Sequence, residues 1–135
     1  MLVVDASAMC AALLWQDEFG QRARLELGKD IDWVAPSHMP LEVIRTLRKA
    51  VLSRHTDQDD ANEAFRALAY SGIEYVDVDS SLLERVWALS HNVSSYDAAY
   101  LVVAAENESP LVTCDARLAK AAEQARMDVE ILLVR

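Results

Sequence analysis

The sequence predicts a single three-layer α/β/α domain over residues 1–135, built on a central parallel sheet of about four or five strands. Three observations carry that expectation. Short apolar runs alternate with longer stretches of helical character, as in Leu2–Val4 followed by Ala6–Trp15. Most of the runs lack polar alternation, which suits strands buried on both faces beneath helices. No short turn signal joins any two of them as a hairpin.

Taken in order, Leu2–Val4 is apolar and β-branched and closes on Asp5. Ala6–Trp15 is rich in helix formers, and Asp17–Leu27 reads as a second, more charged helix. Trp33–Ala35 is the next strand, stopped by Pro36 and Pro40. Pro40 suits the first turn of a helix, where a missing N–H costs nothing. That helix runs from Leu41 to about Ser53, with Ile44, Leu47 and Val51 on its apolar stripe and Glu42, Arg45 and Lys49 on another face. Thr56–Asp57 opens a helix that reaches Tyr70 and stops near Gly72, at a C-cap-like position. Ile73–Val78 alternates only in part, as a strand near a sheet edge does. Asp79 or Ser80 caps a helix to Leu89, and Ser94 or Ser95 caps the next. Leu111–Thr113, Asp115–Arg126 and Val129–Val134 complete the chain as strand, helix and strand. No repeat, linker or low-complexity segment interrupts this order.

The formal net charge is −9, so there is no long-range basic field, which argues against sequence-independent wrapping of DNA. An acidic protein still handles phosphates when metal cations bridge the like charges. The hydrophobic fraction of 53% points to a packed core and away from disorder. Cys10 and Cys114, each in an apolar run, read as two buried reduced thiols rather than as a disulfide or metal pair. There is no basic n-region before the first apolar residues, and Ala98–Ala105, the longest apolar run, is too short to span a bilayer. The expectation is a cytoplasmic protein with no membrane contact.

Four acids stand where the topology would gather them. In a parallel sheet, strand carboxyl ends and helix amino ends share one edge, and ligands bind there, at the switch in strand order. Asp5 and Asp115 lie at strand ends, and Glu42 and Asp97 in the first turns of helices. Each has a plainer reading. Asp5 and Asp115 are credible N-caps, Ser94-x-x-Asp97 matches a capping box, and Glu42 suits the helix dipole. Taken together they argue for a site, since four caps have no reason to share one rim. Carboxylates at close quarters repel, a divalent cation removes the penalty, and all-oxygen donors suit Mg²⁺ or Mn²⁺.

Four motifs in this order resemble the PIN domain: Val4-Asp5-Ala6-Ser7, Leu41-Glu42-Val43 with a basic tail, Ser95-Tyr96-Asp97-Ala98, and Val112-Thr113-Cys114-Asp115-Ala116-Arg117-Leu118. Size and element order are similar to the VapC-type ribonuclease toxins of bacterial toxin–antitoxin pairs, over essentially the whole chain. The resemblance implies a metal-dependent endoribonuclease with Asp5, Glu42, Asp97 and Asp115 as its acidic quartet, and Ser7 and Thr113 as supporting hydroxyls. It also implies a homodimer and a small antitoxin whose tail occupies the cleft. Arg45 departs from the small polar residue that many relatives carry there.

Asp5 and Asp97 are the first choice as direct metal ligands, with Glu42 and Asp115 completing a second site or acting through water. Thr113 reads either as a donor that fixes a carboxylate or as an ordinary β-branched strand residue. Arg45 and Lys49, with Arg48 and Arg54, are the best local candidates for guiding an RNA backbone, and a solvated helix face is the plainer alternative. Trp15, Trp33 and Trp87 read as core or interface, and His38, His55 and His91 show no spacing that suggests a catalytic base. Two other functions compete. A phosphatase using Asp5 as nucleophile would carry an acid two residues on, where this chain has Ser7. A non-catalytic interaction module would be expected to have lost one or more of the four acids.

Overall fold

A computed structural model describes all residues from Met1 to Arg135. The elements are β1 (Leu2–Val4), α1 (Ala6–Leu14), α2 (Glu18–Leu27), β2 (Trp33–Pro36), α3 (Met39–Leu52), α4 (Gln58–Ala69), β3 (Glu74–Val76), α5 (Ser80–Ala88), α6 (Ser95–Glu106), β4 (Leu111–Thr113), α7 (Ala116–Gln124) and β5 (Ile131–Leu133). Five strands form one sheet in the order β3-β2-β1-β4-β5. Every neighbouring pair is parallel.

The chain lays β1, β2 and β3 in one direction, then crosses back to lay β4 and β5 on the other side of β1. Right-handed crossovers therefore place α1–α4 on one face of the sheet and α5–α7 on the other. The packing agrees: α1 lies against α2, α3 and α4, and α5 lies against α6. The order reverses between β1 and β4, whose registers align Val3 with Leu111 and Val4 with Val112. That junction is where an open parallel sheet leaves a crevice.

The central strands need no alternation because helices cover both sides. Val3, Val4, Leu111 and Val112 are fully buried. β3 is an edge strand, as its partial alternation suggests, and Glu74 and Tyr75 are exposed. Helix α6 is the most enclosed helix. Ala98 through Ala104 are all buried against β1, β2, β4 and α5, so its sequence is apolar on every side. Gly72 follows α4 with a φ of +73°, a left-handed turn that glycine enters without strain.

Helix starts are marked by side chains. Asp5, Asp17, Asp57, Asp79 and Asp115 each accept from a backbone N–H of the helix that follows. α3 begins at Met39, two residues before Leu41, with Pro40 in its first turn. Two of the three tryptophans are not core: Trp15 is 44% exposed and Trp87 is 77% exposed. Trp15 is the C-cap of α1, and Trp87 lies in the last turn of α5, a helix in which only Leu82 is buried. Trp33 is half-buried, and its indole N–H donates to the carbonyls of Leu27 and Asp30. Both cysteines are free; Cys10 is buried, and Cys114, just past the end of β4, is only partly so.

Candidate active site

Asp5 leaves β1 at the sheet crevice and is only 4% exposed. Its Oδ1 accepts from the Ala8 backbone N–H at 2.8 Å and from the Ser7 hydroxyl at 2.7 Å. Its Oδ2 accepts from the Thr113 hydroxyl at the end of β4. Those two hydroxyls are themselves held. Ser7 Oγ accepts from the Cys114 N–H at 2.9 Å, and Thr113 Oγ1 accepts from the Asp115 N–H at 3.0 Å. With their lone pairs engaged, both hydroxyls point their protons at the carboxylate. One connected network thus ties the end of β1 to the end of β4.

Glu42 sits in the first turn of α3, half-buried. The Tyr100 hydroxyl of α6 donates to its Oε1 at 2.7 Å. His38 Nε2 lies 3.0 Å from the same oxygen, yet it makes no properly aligned hydrogen bond. The contact is one of proximity, with the ring nitrogen facing the carboxylate. The His38 ring packs at 5.1 Å from Tyr96 and at 5.1 Å from Tyr100, which confines it. Asp97 is partly buried in the first turn of α6, and no side-chain bond from Ser94 closes the capping box there. Asp115 does cap α7, accepting from the Arg117 N–H at 2.9 Å, with the exposed Arg117 guanidinium at 3.4 Å.

The acids sense one another. Burial is the main reason the Asp5 carboxyl is pushed up to about 6; its hydrogen bonds oppose the shift and the charge of Glu42 adds to it. Asp97 is raised by burial first, then by the charges of Asp115 and Glu42. For Glu42 burial again acts upward, but the contacts from His38 and Tyr100 and the nearby Arg45 together bring it below the ordinary range. Asp5 thus feels the charge of Glu42, and Asp97 the charges of Asp115 and Glu42, across the edge where β1, β4, α3 and α6 present their ends. The four acids form a rim rather than a closed cage, because no three His, Cys, Asp or Glu side chains are grouped tightly enough to enclose an ion. The chemistry of the donor set still fits a hard cation. The donors are all carboxylate oxygens, and the raised Asp5 and Asp97 are the groups an added positive charge would relieve.

Arg45 and Lys49 are exposed on α3, and both line a groove shared with Glu42 and Ser7. Cys10 and Cys114 line it too, their thiols pushed up by burial to about 12 and about 11, which keeps them unreactive. Sequence reasoning missed Tyr100 and His38. The available signal was spacing: His38 lies four residues before Glu42, and Tyr100 three residues after Asp97.

Fold and rim together define a class: a doubly wound parallel α/β domain whose crevice is lined by acids instead of by a glycine-rich phosphate loop. The PIN-domain family model matches residues 2–124. Ribonuclease VapC1 of Mycobacterium tuberculosis is 38% identical over 133 residues, covering 98% of this chain and 97% of its own. Ribonuclease VapC9 of the same organism is 34% identical over 121 residues, covering 87% and 88%. In fold, the chain is similar to the sarcin–ricin-loop-cleaving toxin VapC20 of M. tuberculosis, with a TM-score of 0.68 at 20% identity over 90% of this chain and 95% of that one. The chain belongs to the PIN-domain family and, within it, to the VapC-type ribonuclease toxins.

Proposed function

We infer that this protein is a divalent-metal-dependent endoribonuclease that cuts RNA phosphodiesters, with Asp5, Glu42, Asp97 and Asp115 as its working acids. The observation that carries the reading is Asp5. A carboxyl buried at a cost of about 3 kcal/mol in its ionised form, and oriented by two relayed hydroxyls, is not needed merely to cap α1. Mg²⁺ or Mn²⁺, when bound, lowers the pKa of water and neutralises charge gathering on the phosphate oxygens. Asp5 and Asp97 are the residues to hold it directly, with Glu42 and Asp115 completing the set. Ser7 and Thr113 fix the Asp5 oxygens, and Tyr100 fixes Glu42 with the His38 ring beside it. The amino end of α6 faces the rim and adds favourable potential for an anionic substrate.

The VapC relatives support a toxin role, and the motif resemblance adds a small antitoxin as protein partner and a homodimer. No helix is long and apolar enough to cross a membrane, which is compatible with action in the cytoplasm. The test is cleavage of cellular RNA by the purified chain with Mn²⁺ or Mg²⁺, with chelator, and with Asp5→Asn or Asp97→Asn. Cleavage should require the metal and fall by about a hundred- to a thousandfold in either variant, as when a group that stabilises the transition state is removed. Variants that cut as fast as the parent would remove these acids from the mechanism. Light scattering of the isolated chain decides the homodimer, and co-purification with the product of the neighbouring reading frame decides the antitoxin.

A further inference from the structure

Beside the acid rim a groove of about 520 Å³ opens between α3 and the corner where α1 meets α2. That volume lies within the range of small-ligand clefts. Ser7 and Glu42 of the rim are in its wall, with Arg45 and Lys49 one and two turns further along α3, and Trp15 and Phe19 at the corner. Neither Arg45 nor Lys49 has an acidic partner at ion-pair distance. On a chain of net charge −9, two unpaired cations on one groove that runs into the rim mark a local reversal of sign suited to phosphate.

The backbone at Trp15 is held. Its carbonyl accepts from Arg24 Nη1 at 2.9 Å, and the same nitrogen donates to the Ala12 carbonyl at 3.0 Å. α2 approaches so closely that a Cβ on Gly20 would sit 1.9 Å from the Trp15 carbonyl oxygen. The residue nonetheless remains 44% exposed. An indole has few side-chain torsions to lose on meeting another ring, and any base can stack on it.

We propose that this groove seats the ribonucleotide beside the scissile phosphate, with its phosphate on Arg45 and Lys49 and its base on Trp15. The assignment rests on the ribonuclease reading above and names the part of the substrate that lies outside the acids. Cations beside a stacking face suit single-stranded nucleic acid, and a partner peptide is the competing occupant.

Anisotropy of a labelled oligoribonucleotide of about eight nucleotides, measured in chelator so that nothing is cut, tests this beside cleavage in Mn²⁺. Trp15→Leu should weaken binding roughly tenfold and Trp15→Phe should retain most of it. Arg45→Gln and Lys49→Gln should each flatten the dependence of log K on log salt by about 0.7. Trp87→Leu, on an exposed residue elsewhere, should leave both readings unchanged. Should Trp15→Leu melt early, indole emission decides: quenching by RNA that disappears in Trp15→Phe supports the proposal, and equal quenching overturns it. Full affinity in Trp15→Leu with unaltered salt slopes in the two α3 variants also overturns it and leaves the groove to a peptide. A parent that neither binds nor cuts RNA defeats the ribonuclease reading as well. A parent that cuts, with KM unchanged in every groove variant, defeats this assignment alone.

Discussion

Asp5 carries opposing demands in one side chain. It caps α1, accepts from two hydroxyls and yet is buried enough to hold its proton up to about pH 6. A carboxyl whose folded-state pKa exceeds its unfolded value near 3.8 destabilises the fold when it ionises. The penalty grows as pH rises from about 4 to about 6 and stands in full above that, at about 3 kcal/mol. Metal-free Asp5→Asn should therefore melt above the parent at pH 7.5, with the gain fading to nothing below pH 4 or so. Calorimetry across that range checks it, and an equal gain at both ends would assign the effect to packing. Tyr100→Phe deletes one donor to Glu42 and keeps the ring against His38. Loss of such a supporting bond should weaken Mn²⁺ binding and cleavage by about 10- to 100-fold at an unchanged melting temperature. Isothermal titration with Mn²⁺ and steady-state cleavage report the two effects separately.

At the scale of elements, most of the architecture was legible because its signals are local. Buried runs without alternation marked β1 and β4, and aspartates marked the starts of α1, α2, α4, α5 and α7. The position of the acids at strand and helix ends also followed from topology, since parallel strands and returning helices present their ends to one edge. What stayed hidden was set by contacts between elements. Reading the third helix from Leu41 leaves His38 outside it; with the start at Met39, His38 lies one turn from Glu42. The Tyr100–Glu42 bond joins residues 58 apart, which no local pattern encodes. Trp15 was read as core or interface because composition does not reveal which end of an apolar helix reaches solvent. The α1–α2 corner gives its own prediction. Gly20→Ala forces a methyl group into the Trp15 carbonyl and should cost about 1–3 kcal/mol, as overpacked sites do. Urea unfolding measures it, and a loss under about 0.5 kcal/mol, the range of ordinary surface substitutions, would show that the corner yields freely.

For the whole molecule, acidity and the rim act together. A net charge of −9 with four carboxylates around one crevice leaves the metal-free chain below the stability it can reach. A cation that binds the folded form alone stabilises it by about 2.7 kcal/mol at a hundred times its dissociation constant. Mn²⁺ should thus raise the melting temperature by several degrees, the rise should saturate, and Asp97→Asn should lose most of it. Thermal scans with matched ionic strength of NaCl separate this from general screening, and equal shifts with the two salts would argue against a specific site.

The bond from Thr113 to Asp5 spans 108 positions of sequence and closes only when β4 settles beside β1. A growing polypeptide has exposed Asp5 and Glu42 long before the segment that orients the first of them has been made. Catalytic competence therefore waits for β4, and fragments ending ahead of it should carry most of the acids with none of the chemistry.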